Sequence, residues 1–157
     1  MKIVVEGADG VGKSTLVNKL VEELNFPTAH PTSETENTYQ YDLELLSSSE
    51  DIIIDRLILS EIVYSSVFSR VPLIDMNEFM LLLEEIDVMI IMYASNDEDL
   101  FNRLKNRGSL DEYERAIEAN NIYKVVAPLW AEYDNKIKVI DISKEEENKN
   151  DWRSIIA

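Results

Sequence analysis

The residues best suited to chemistry lie near the start of the chain, where Gly7 to Ser14 read GADGVGKS and match the pattern G-x-x-x-x-G-K-[ST]. In this pattern the glycines let the backbone wrap closely around a phosphate and its N–H groups point at the oxygens. The lysine adds positive charge and the serine hydroxyl can bind magnesium. The pattern therefore predicts triphosphate binding. The residues expected to contact the triphosphate are Gly7, Gly10, Val11, Gly12, Lys13, Ser14 and Thr15.

The positive charges of the chain are few and clustered. The sequence has 15 basic and 31 acidic side chains, which gives a formal net charge of -16. A field of this sign repels nucleic acids and anionic membranes, so neither is an expected partner and a nucleic-acid coat is excluded. Before Lys124 the cations form three clusters, which suggests that they converge on a polyanionic ligand. The clusters are Lys2, Lys13 and Lys19; Arg56 and Arg70; and Arg103, Lys105, Arg107 and Arg115.

The elements that position these residues alternate between strands and helices. Short apolar runs between turn residues suit strands that are covered on both faces. Leu16, Leu20 and Leu24 have the spacing of a helix that runs from Gly12 to Leu24. Alternating strands and helices predict a parallel α/β sheet. The predicted strands are Lys2–Glu6, Asp51–Asp55, Ile86–Tyr93 and Lys136–Ile142, with a further short strand at Phe26–His30.

A chain of 157 residues has the size of one domain. We expect a single domain at 1–143 that includes a lid at 103–114, a polar loop at 32–41, and a polar tail at 144–157 with an anchoring turn at Trp152, Ile155 and Ile156. The sequence has no cysteine and no apolar run long enough for a signal peptide or a spanning helix. These features predict a soluble cytoplasmic protein. A homodimer is left open.

Three segments that occur in order along the chain carry a family resemblance. They are VVEGADGVGKSTLV around the turn, IIIDR followed by Ser60 and Tyr64, and RLKNRGSLDEYE at 103–114. Together they resemble the thymidylate kinase family of nucleoside monophosphate kinases. The resemblance implies a P-loop NTPase fold, a three-layer α/β/α arrangement with a five-stranded parallel sheet. It also implies an enzyme that transfers the γ-phosphoryl group of ATP, with Mg²⁺, to a deoxynucleoside 5′-monophosphate, dTMP first.

The second segment places several polar side chains on one side of a helix. Arg56, Ser60 and Tyr64 recur every four residues after the predicted strand. Arg56 lies where open parallel sheets bind ligands, and its planar fork can grip a monophosphate. The resemblance assigns Arg56 the acceptor phosphate and sets Tyr64 against the sugar. Asp55, at the strand end, is expected to hold magnesium through water, with the Ser14 hydroxyl as a further ligand.

The acceptor pocket departs from the family pattern. Asp9 lies inside the phosphate turn, and the resemblance implies that it contacts the 3′-hydroxyl of the acceptor sugar. In the segment after the second predicted strand only Pro31 matches the family, and His30 is interpreted as a loop residue. The interval before Asp55 is short, so part of the base pocket is missing or rebuilt. Candidates to rebuild it are Tyr39 and Tyr41, by stacking, and Glu61, by accepting hydrogen bonds from a base.

The third segment predicts a lid. Arg103 and Arg107 lie one helical turn apart, and Gly108 then permits a break that lets the following loop move. Such arginines can close over the transferred phosphoryl group. They matter more here because Gly10 stands where some family members place an arginine. The predicted catalytic set is Lys13, Asp55, Arg56, Arg103 and Arg107.

Two other functions remain open on sequence grounds. A monophosphate acceptor needs no general base, because its second pKa is about 6. A deoxynucleoside kinase, which phosphorylates a sugar hydroxyl, would need a carboxylate base, and the candidates are Glu34 and Glu36 on the polar loop. The other alternative is a nucleotide-binding protein without catalysis. A small GTPase is disfavoured, since the chain has no Asp-x-x-Gly element after a second strand, and its one Asn-Lys-x-Asp match, at 148–151, falls in the polar tail.

Overall fold

The computed structural model describes residues 1–31, 39–48, 50–144 and 156. Five parallel strands form one sheet in the order β2-β3-β1-β4-β5, with helices on both faces, which confirms the predicted three-layer α/β/α fold. The strands are β1 (Lys2–Gly7), β2 (Thr28–Ala29), β3 (Ile52–Asp55), β4 (Val88–Tyr93) and β5 (Ile137–Asp141). The helices are α1 (Lys13–Leu24), α2 (Tyr39–Ser47), α3 (Ile58–Val67), α4 (Met76–Glu84), α5 (Asp97–Asn106) and α6 (Tyr113–Tyr133). Short 3₁₀ turns lie at Leu110–Glu112 and Ile142–Lys144.

The three central strands are buried because helices cover both of their faces. Residues with no exposed surface include Ile3, Val4, Val5, Ile53, Ile54, Met89, Ile90 and Ile91. A continuous apolar run is what such a strand requires, whereas a strand with one wet face would alternate. Parallel strands also end at the same edge of the sheet, and Val5 lies opposite both Asp55 and Ile90. This register brings the phosphate turn after β1 beside the end of β3.

Most predicted elements are confirmed to within two residues, and the differences fall on the polar segment before β3. β2 covers only Thr28–Ala29 of the five residues predicted, and it pairs with β3 alone. The loop predicted to run to 41 was wrong at its end, because α2 begins at Tyr39 and packs Leu43 and Leu46 toward the core. The predictions for Glu34, Glu36, Trp152 and Ile155 lie outside the described residues.

Helix α6 connects the lid to the core of the sheet. Its inner face is built from small residues around Asn120 and Tyr123, both fully buried. The side-chain amide of Asn120 donates to the carbonyl of Ala94 and accepts from its N–H, both at 2.9 Å, and so fixes the chain just after β4. Among the described residues no helix is long and apolar enough to cross a membrane.

Helix α2 carries a buried carboxyl group that has no hydrogen-bond partner in the described part of the chain. Asp42 has no exposed surface, and both of its carboxylate oxygens are unpaired. Burial, together with the nearby charges of Glu6 and Glu61, raises the pKa of Asp42 to about 7. The folded chain therefore holds a proton that the unfolded chain releases above the ordinary pKa of 3.8.

We expect Asp42→Asn to raise the free energy of unfolding by a margin that grows with pH. In wild type the unfolded side chain ionises above about pH 4 and the folded one only above about pH 7, so stability falls across this window. The amide does not ionise, so the margin should approach the order of 4 kcal/mol at about pH 8. Urea unfolding at about pH 4.5, 6 and 8 measures it. Glu44→Gln, exposed on the same helix, is the control, and a margin that is equal at all three pH values would contradict the prediction.

Candidate active site

The turn between β1 and α1 has the backbone geometry that its glycines predict. Gly7 has a φ of +151°, and a Cβ atom there would lie 2.6 Å from the carbonyl oxygen of Met92. Gly12 has a φ of +97° and is the N-cap of α1, which begins at Lys13. A side chain at Gly7 would collide with the backbone of β4, and one at Gly12 would be strained. The turn can therefore hold its path only with glycine at these positions.

Lys13 is buried beneath this turn. Its ammonium group donates to the carbonyl of Ala8 at 2.9 Å. Burial lowers the pKa of Lys13 to about 8, with the charges of Asp55 and Glu6 opposing the shift and that of Arg107 adding to it. A buried cation whose one hydrogen bond within the described residues goes to a neutral carbonyl is poised to bind an anion.

A first cavity of about 670 Å³ opens at the turn. Four of the nine cations expected to converge contribute to its wall, namely Lys13, Arg56, Arg103 and Arg107, whereas Lys2, Lys19 and Lys105 line neither this cavity nor the second one described below. Of the residues predicted to contact the triphosphate, Gly10, Gly12, Ser14 and Thr15 also line it, whereas Gly7 and Val11 do not. Positive charge is thus concentrated in one cleft of a strongly acidic chain, which suits a polyphosphate.

Asp55 supplies the carboxylate of this cavity. Its Oδ1 atom is buried without a hydrogen-bond partner in the described part of the chain, and its Oδ2 atom lies 3.3 Å from Nδ1 of His30. Ser14 lines the same cavity. No cluster of three or more acidic or histidine side chains that could hold a metal occurs within the described ranges. This donor set fits Mg²⁺, which takes one or two protein ligands and completes its shell with phosphate oxygens and water.

Arg56 lies at the boundary of the first cavity. It precedes α3 rather than opening it, and its backbone is left-handed with a φ of +69°. Its guanidinium forms an ion pair with the carboxylate of Asp9 and lies 5.1 Å above the ring of Tyr64. The Tyr64 hydroxyl accepts from the N–H of Asp9 at 3.1 Å. The phosphate turn and α3 are therefore joined through three of the predicted acceptor residues.

A second cavity, also about 670 Å³, adjoins the first and shares Asp9, His30 and Arg56 with it. The predicted acceptor residues Pro31, Ser60, Glu61 and Tyr64 line it. Tyr39 and Tyr41 are in the lining of neither cavity. Residues that line the second cavity and that the sequence did not single out for it are Leu57, Phe68, Val71, Leu73, Glu112 and Arg115.

Glu61 was expected to present a free carboxylate to a base, but the structure shows it bound within the protein. Its Oε1 atom accepts from Arg70 Nη1 at 2.5 Å and from the N–H of Leu73 at 3.0 Å, and its Oε2 atom accepts from Arg70 Nη2 at 3.1 Å. Burial would raise the pKa of Glu61, but these hydrogen bonds and the charge of Arg70 outweigh it, so the pKa lies below its ordinary value. The wall here presents a bidentate ion pair.

The other side of the second cavity is aromatic. The rings of Tyr64, on α3, and of Phe68, the residue directly after α3, are 6.3 Å apart, and the guanidinium of Arg115 lies 4.9 Å from the Phe68 ring centre. Arg115 belongs to the first turn of α6, so this contact ties the lid side of the molecule to α3. The only sequence signal for Phe68 was its i+4 spacing from Tyr64, which is equally typical of a core residue.

The predicted lid begins with the end of α5. The N–H groups of Gly108 and Ser109 bond to the carbonyls of Lys105 and Leu104 at 3.0 and 2.8 Å, with Gly108 at a φ of +72°, which is a common helix stop. The helix therefore breaks at the glycine, as expected. Arg103 approaches the phosphate turn, since a Cβ atom on Gly12 would lie 3.1 Å from its Nη1 atom. Arg107 pairs with Glu112 at 3.2 Å.

Sequence reasoning missed Glu6 altogether. This residue near the end of β1 is fully buried, and its carboxylate accepts from the N–H groups of Leu57 and Leu59 and from the Ser60 hydroxyl. Ser60 also lies 3.2 Å from the hydroxyl of Tyr123. One signal was present, namely a carboxylate in an otherwise apolar strand directly before the phosphate turn.

Comparison with known proteins finds similarity in structure only. No family model and no curated protein matches this chain. The YorR protein from Bacillus subtilis, in complex with phosphorylated GDP, superposes with a TM-score of 0.74 at 21% identity, over 92% of this chain and 87% of that one. Deoxyadenosine kinase from M. mycoides with bound dCTP gives a TM-score of 0.59 at 19% identity, over 99% and 95% of the two chains. Shikimate kinase from Acinetobacter baumannii, in complex with shikimate, gives 0.53 at 16%, over 94% and 89%.

These likenesses support the fold described above, a three-layer α/β/α arrangement with a five-stranded parallel sheet. Deoxyadenosine kinase and shikimate kinase share it, so the fold does not determine the acceptor. The resemblance to thymidylate kinases and the choice of dTMP stay predictions.

Proposed function

We propose that this protein is a phosphotransferase that moves the γ-phosphoryl group of ATP to a deoxynucleoside 5′-monophosphate, with dTMP as the first candidate. The observation that carries the proposal is the pair of adjoining cavities that share Asp9, His30 and Arg56. Two ligands seated in these cavities would meet at the shared residues. Phosphoryl transfer depends mainly on such positioning and on stabilisation of charge.

In the donor cavity the turn would hold the ATP phosphates through its backbone N–H groups. Lys13 would exchange the carbonyl of Ala8 for a phosphate oxygen. Mg²⁺, held by the Ser14 hydroxyl and through water by Asp55, would neutralise charge on the phosphates. Arg103 and Arg107 would complete the positive wall around the transferred group.

In the acceptor cavity Arg56 would bind the monophosphate with its planar fork. The acceptor is already ionised near neutral pH, so its oxygen needs no general base. Asp9, which pairs with Arg56 here, would accept a hydrogen bond from the sugar hydroxyl, and Tyr64 would pack against the sugar. Pro31 and Ser60 would contribute to the pocket wall.

The ion pair of Arg70 and Glu61 in the wall of the acceptor cavity favours a base that presents a carbonyl group where cytosine and adenine present an amino group. Three described donors already occupy Oε1 of Glu61, including the Ser65 hydroxyl at 3.2 Å. Arg70, by contrast, has five N–H groups, of which three are used in the described contacts. The remaining donors suit the carbonyl oxygen of thymine, uracil or guanine better than the amino group of cytosine or adenine.

The test of the proposal is an assay that couples ADP formation to a panel of deoxynucleoside monophosphates and free deoxynucleosides. We expect turnover with dTMP and dUMP, and a lower kcat/KM with dCMP, which carries an amino group where dUMP has a carbonyl. Turnover of free nucleosides alone would replace the proposal by a deoxynucleoside kinase. Tight ATP binding without ADP formation on any acceptor would favour a non-catalytic nucleotide-binding protein.

One observation keeps the deoxynucleoside kinase as a second candidate. A hydroxyl acceptor needs a group that takes its proton, and Asp55, in the lining of the first cavity beside the shared residue His30, has a buried oxygen without a described partner. The base candidates Glu34 and Glu36 lie outside the described residues. The assay panel separates the two candidates because it contains both kinds of acceptor.

Arg107→Ala should lower kcat by about 10–100-fold while the affinity for ATP changes less than threefold. Arg107 lines the donor cavity, but its side chain is half exposed and pairs only with Glu112 in the described part of the chain. A half-exposed arginine of this kind would contact the transferred phosphoryl group when the lid closes. Steady-state kinetics and calorimetry of ATP binding give the two quantities. Lys105→Ala, exposed on the same helix end and outside both cavities, is the control, and equal small effects on kcat and affinity would defeat the assignment.

A further inference from the structure

The buried carboxylate of Glu6 is costly, and the proposed chemistry does not use it. It has no exposed surface and lies among the apolar residues of β1. Burial raises the pKa of Glu6, and hydrogen bonds from Ser60 and Leu57 oppose that shift. Glu6 is in the lining of neither cavity. A buried charge is retained only where fixed donors compensate it, so its donors indicate what it does.

Those donors all belong to the first turn of α3. Oε1 of Glu6 accepts from the N–H groups of Leu57 at 2.9 Å and Leu59 at 3.1 Å, and Oε2 accepts from the Ser60 hydroxyl at 2.5 Å. The N-cap residue of the helix is Leu57, which has no side chain able to accept these bonds. Glu6 therefore performs from a neighbouring strand the capping that the local sequence lacks.

The capped turn is the one that carries Arg56. The N–H of Arg56 donates to the carbonyl of Val5 at 2.9 Å, and the next N–H, that of Leu57, donates to Glu6. Two consecutive residues of β1 thus hold the chain on both sides of the left-handed φ of +69° at Arg56. A non-glycine residue adopts that conformation only where the surroundings hold it.

The same hydrogen-bond network reaches α6, the helix that follows the lid. The hydroxyl of Ser60 lies 3.2 Å from the hydroxyl of Tyr123, which is fully buried on α6. The carboxylate of Glu6 is thereby connected to β1, α3 and α6, and of these α3 and α6 contribute residues to the lining of the second cavity. Its position sets where the turn of Arg56 lies relative to the phosphate turn.

We propose that Glu6 is a positioning residue that holds the Arg56 guanidinium at the boundary between the donor and acceptor cavities. This inference rests on the proposed function, because Arg56 has a catalytic duty only if an acceptor phosphate binds there. Loss of the Glu6 carboxylate should then reduce use of the acceptor more than binding of the donor, although its charge also acts on Lys13, and the loss in acceptor efficiency should act through Arg56.

The experiment combines kinetics with hydrogen exchange on Glu6→Gln. We expect kcat/KM for the acceptor to fall about 100-fold, since displacement of a binding group by about 1 Å has effects of that size, with ATP affinity within threefold of wild type. Amide exchange at Arg56, Leu57 and Leu59 should accelerate about tenfold while the central strands stay protected. In an Arg56→Lys background the same substitution should lower kcat/KM no further.

Asp141→Asn is the matched control, because it also replaces a buried carboxylate that accepts from two backbone N–H groups, those of Ser95 and Ser143, but at the end of β5 and outside the lining of both cavities. It should leave the kinetic constants and the exchange at Arg56 unchanged. If Glu6→Gln does not fold, Ser60→Ala removes one hydrogen bond of the network and should give smaller changes in the same direction.

Unchanged amide exchange at the turn, or full additivity of Glu6→Gln with Arg56→Lys, would overturn the inference. A wild-type protein that turns over no acceptor would instead refute the proposed function, and the exchange measurement would still decide whether Glu6 holds the turn.

Discussion

Arg56→Lys is expected to lower kcat/KM for the acceptor by about 10²–10³-fold, with little change in the affinity for ATP. Lysine keeps the positive charge and meets the same left-handed backbone, at a φ of +69°, so the substitution removes only the planar fork. That fork is what binds a phosphate through two parallel hydrogen bonds, and it lies at the boundary that the two cavities share. Initial rates with the acceptor varied at saturating ATP measure the effect.

Two measurements on the same preparation show whether the loss comes from the acceptor site. Calorimetric titration with ATP should give a dissociation constant within threefold of wild type, because the donor phosphates are held by the turn and Lys13. Urea unfolding should give a free energy close to that of wild type, since Arg56 is partly exposed and its ion pair with Asp9 contributes little. If ATP affinity falls as much as acceptor efficiency, Arg56 serves the donor and the assignment of the two cavities is wrong.

The fold could be predicted from the sequence because its signals are local. The apolar runs of β1, β3 and β4 read as buried strands, and the leucine spacing of α1 reads as a helix. The phosphate turn adds glycines whose conformations the structure confirms. The prediction was weakest between α1 and β3, where Pro27 and Pro31 interrupt the backbone donors and β2 keeps only two residues. The start of α2 depends on tertiary contacts of Leu43 and Leu46, which a polar local sequence does not reveal.

The role of a site residue could be predicted where the residue type alone implies the role. It could not be predicted where the role depends on which other side chain the residue is paired with. Lys13, Arg103 and Arg107 could be grouped because phosphate attracts every cation near it. Glu61 is an example. From the sequence its carboxylate could have faced a base, but in the structure it binds Arg70, nine residues later in the chain. His30, interpreted as a loop residue, lines both cavities and lies next to Asp55. The residues that line the cavities with His30 come from separate elements, and the sequence does not show how these elements lie relative to one another.

The charge pattern gains a physical meaning from this geometry. A chain with a net charge of -16 would repel ATP and a nucleotide acceptor at long range. The cavities oppose this with cations from the phosphate turn, the end of β3 and the end of α5. Arg56 is paired with Asp9 and Arg107 with Glu112, whereas the described hydrogen bond of Lys13 goes to the neutral carbonyl of Ala8. Ligand binding by the two arginines must therefore compete with internal ion pairs, whereas Lys13 has only to exchange a carbonyl for a phosphate oxygen.

Lys13→Met should reduce phosphoryl transfer by at least about 10³-fold and at the same time stabilise the empty protein by about 1–3 kcal/mol. The loss follows because the ammonium group is the cation beneath the turn, where charge develops on the transferred phosphate. The gain follows because that group is buried with a carbonyl as its hydrogen-bond partner, and burial lowers the pKa of Lys13 to about 8. Methionine fills a similar volume without a charge to desolvate. Single-turnover kinetics and urea unfolding measure the two effects.

If Lys13 is a functional residue that costs the protein stability, the loss of phosphoryl transfer and the gain in unfolding free energy must occur together in Lys13→Met. Lys19→Met is the matched control, since Lys19 is exposed on the same helix and lines neither cavity, so both quantities should stay near wild type. Addition of ATP should reverse the order of stability, because wild type gains binding free energy that the variant cannot obtain. If Lys13→Met destabilises the empty protein and ATP stabilises both proteins equally, the lysine is a structural residue of the turn, and the donor site must be sought elsewhere in the molecule.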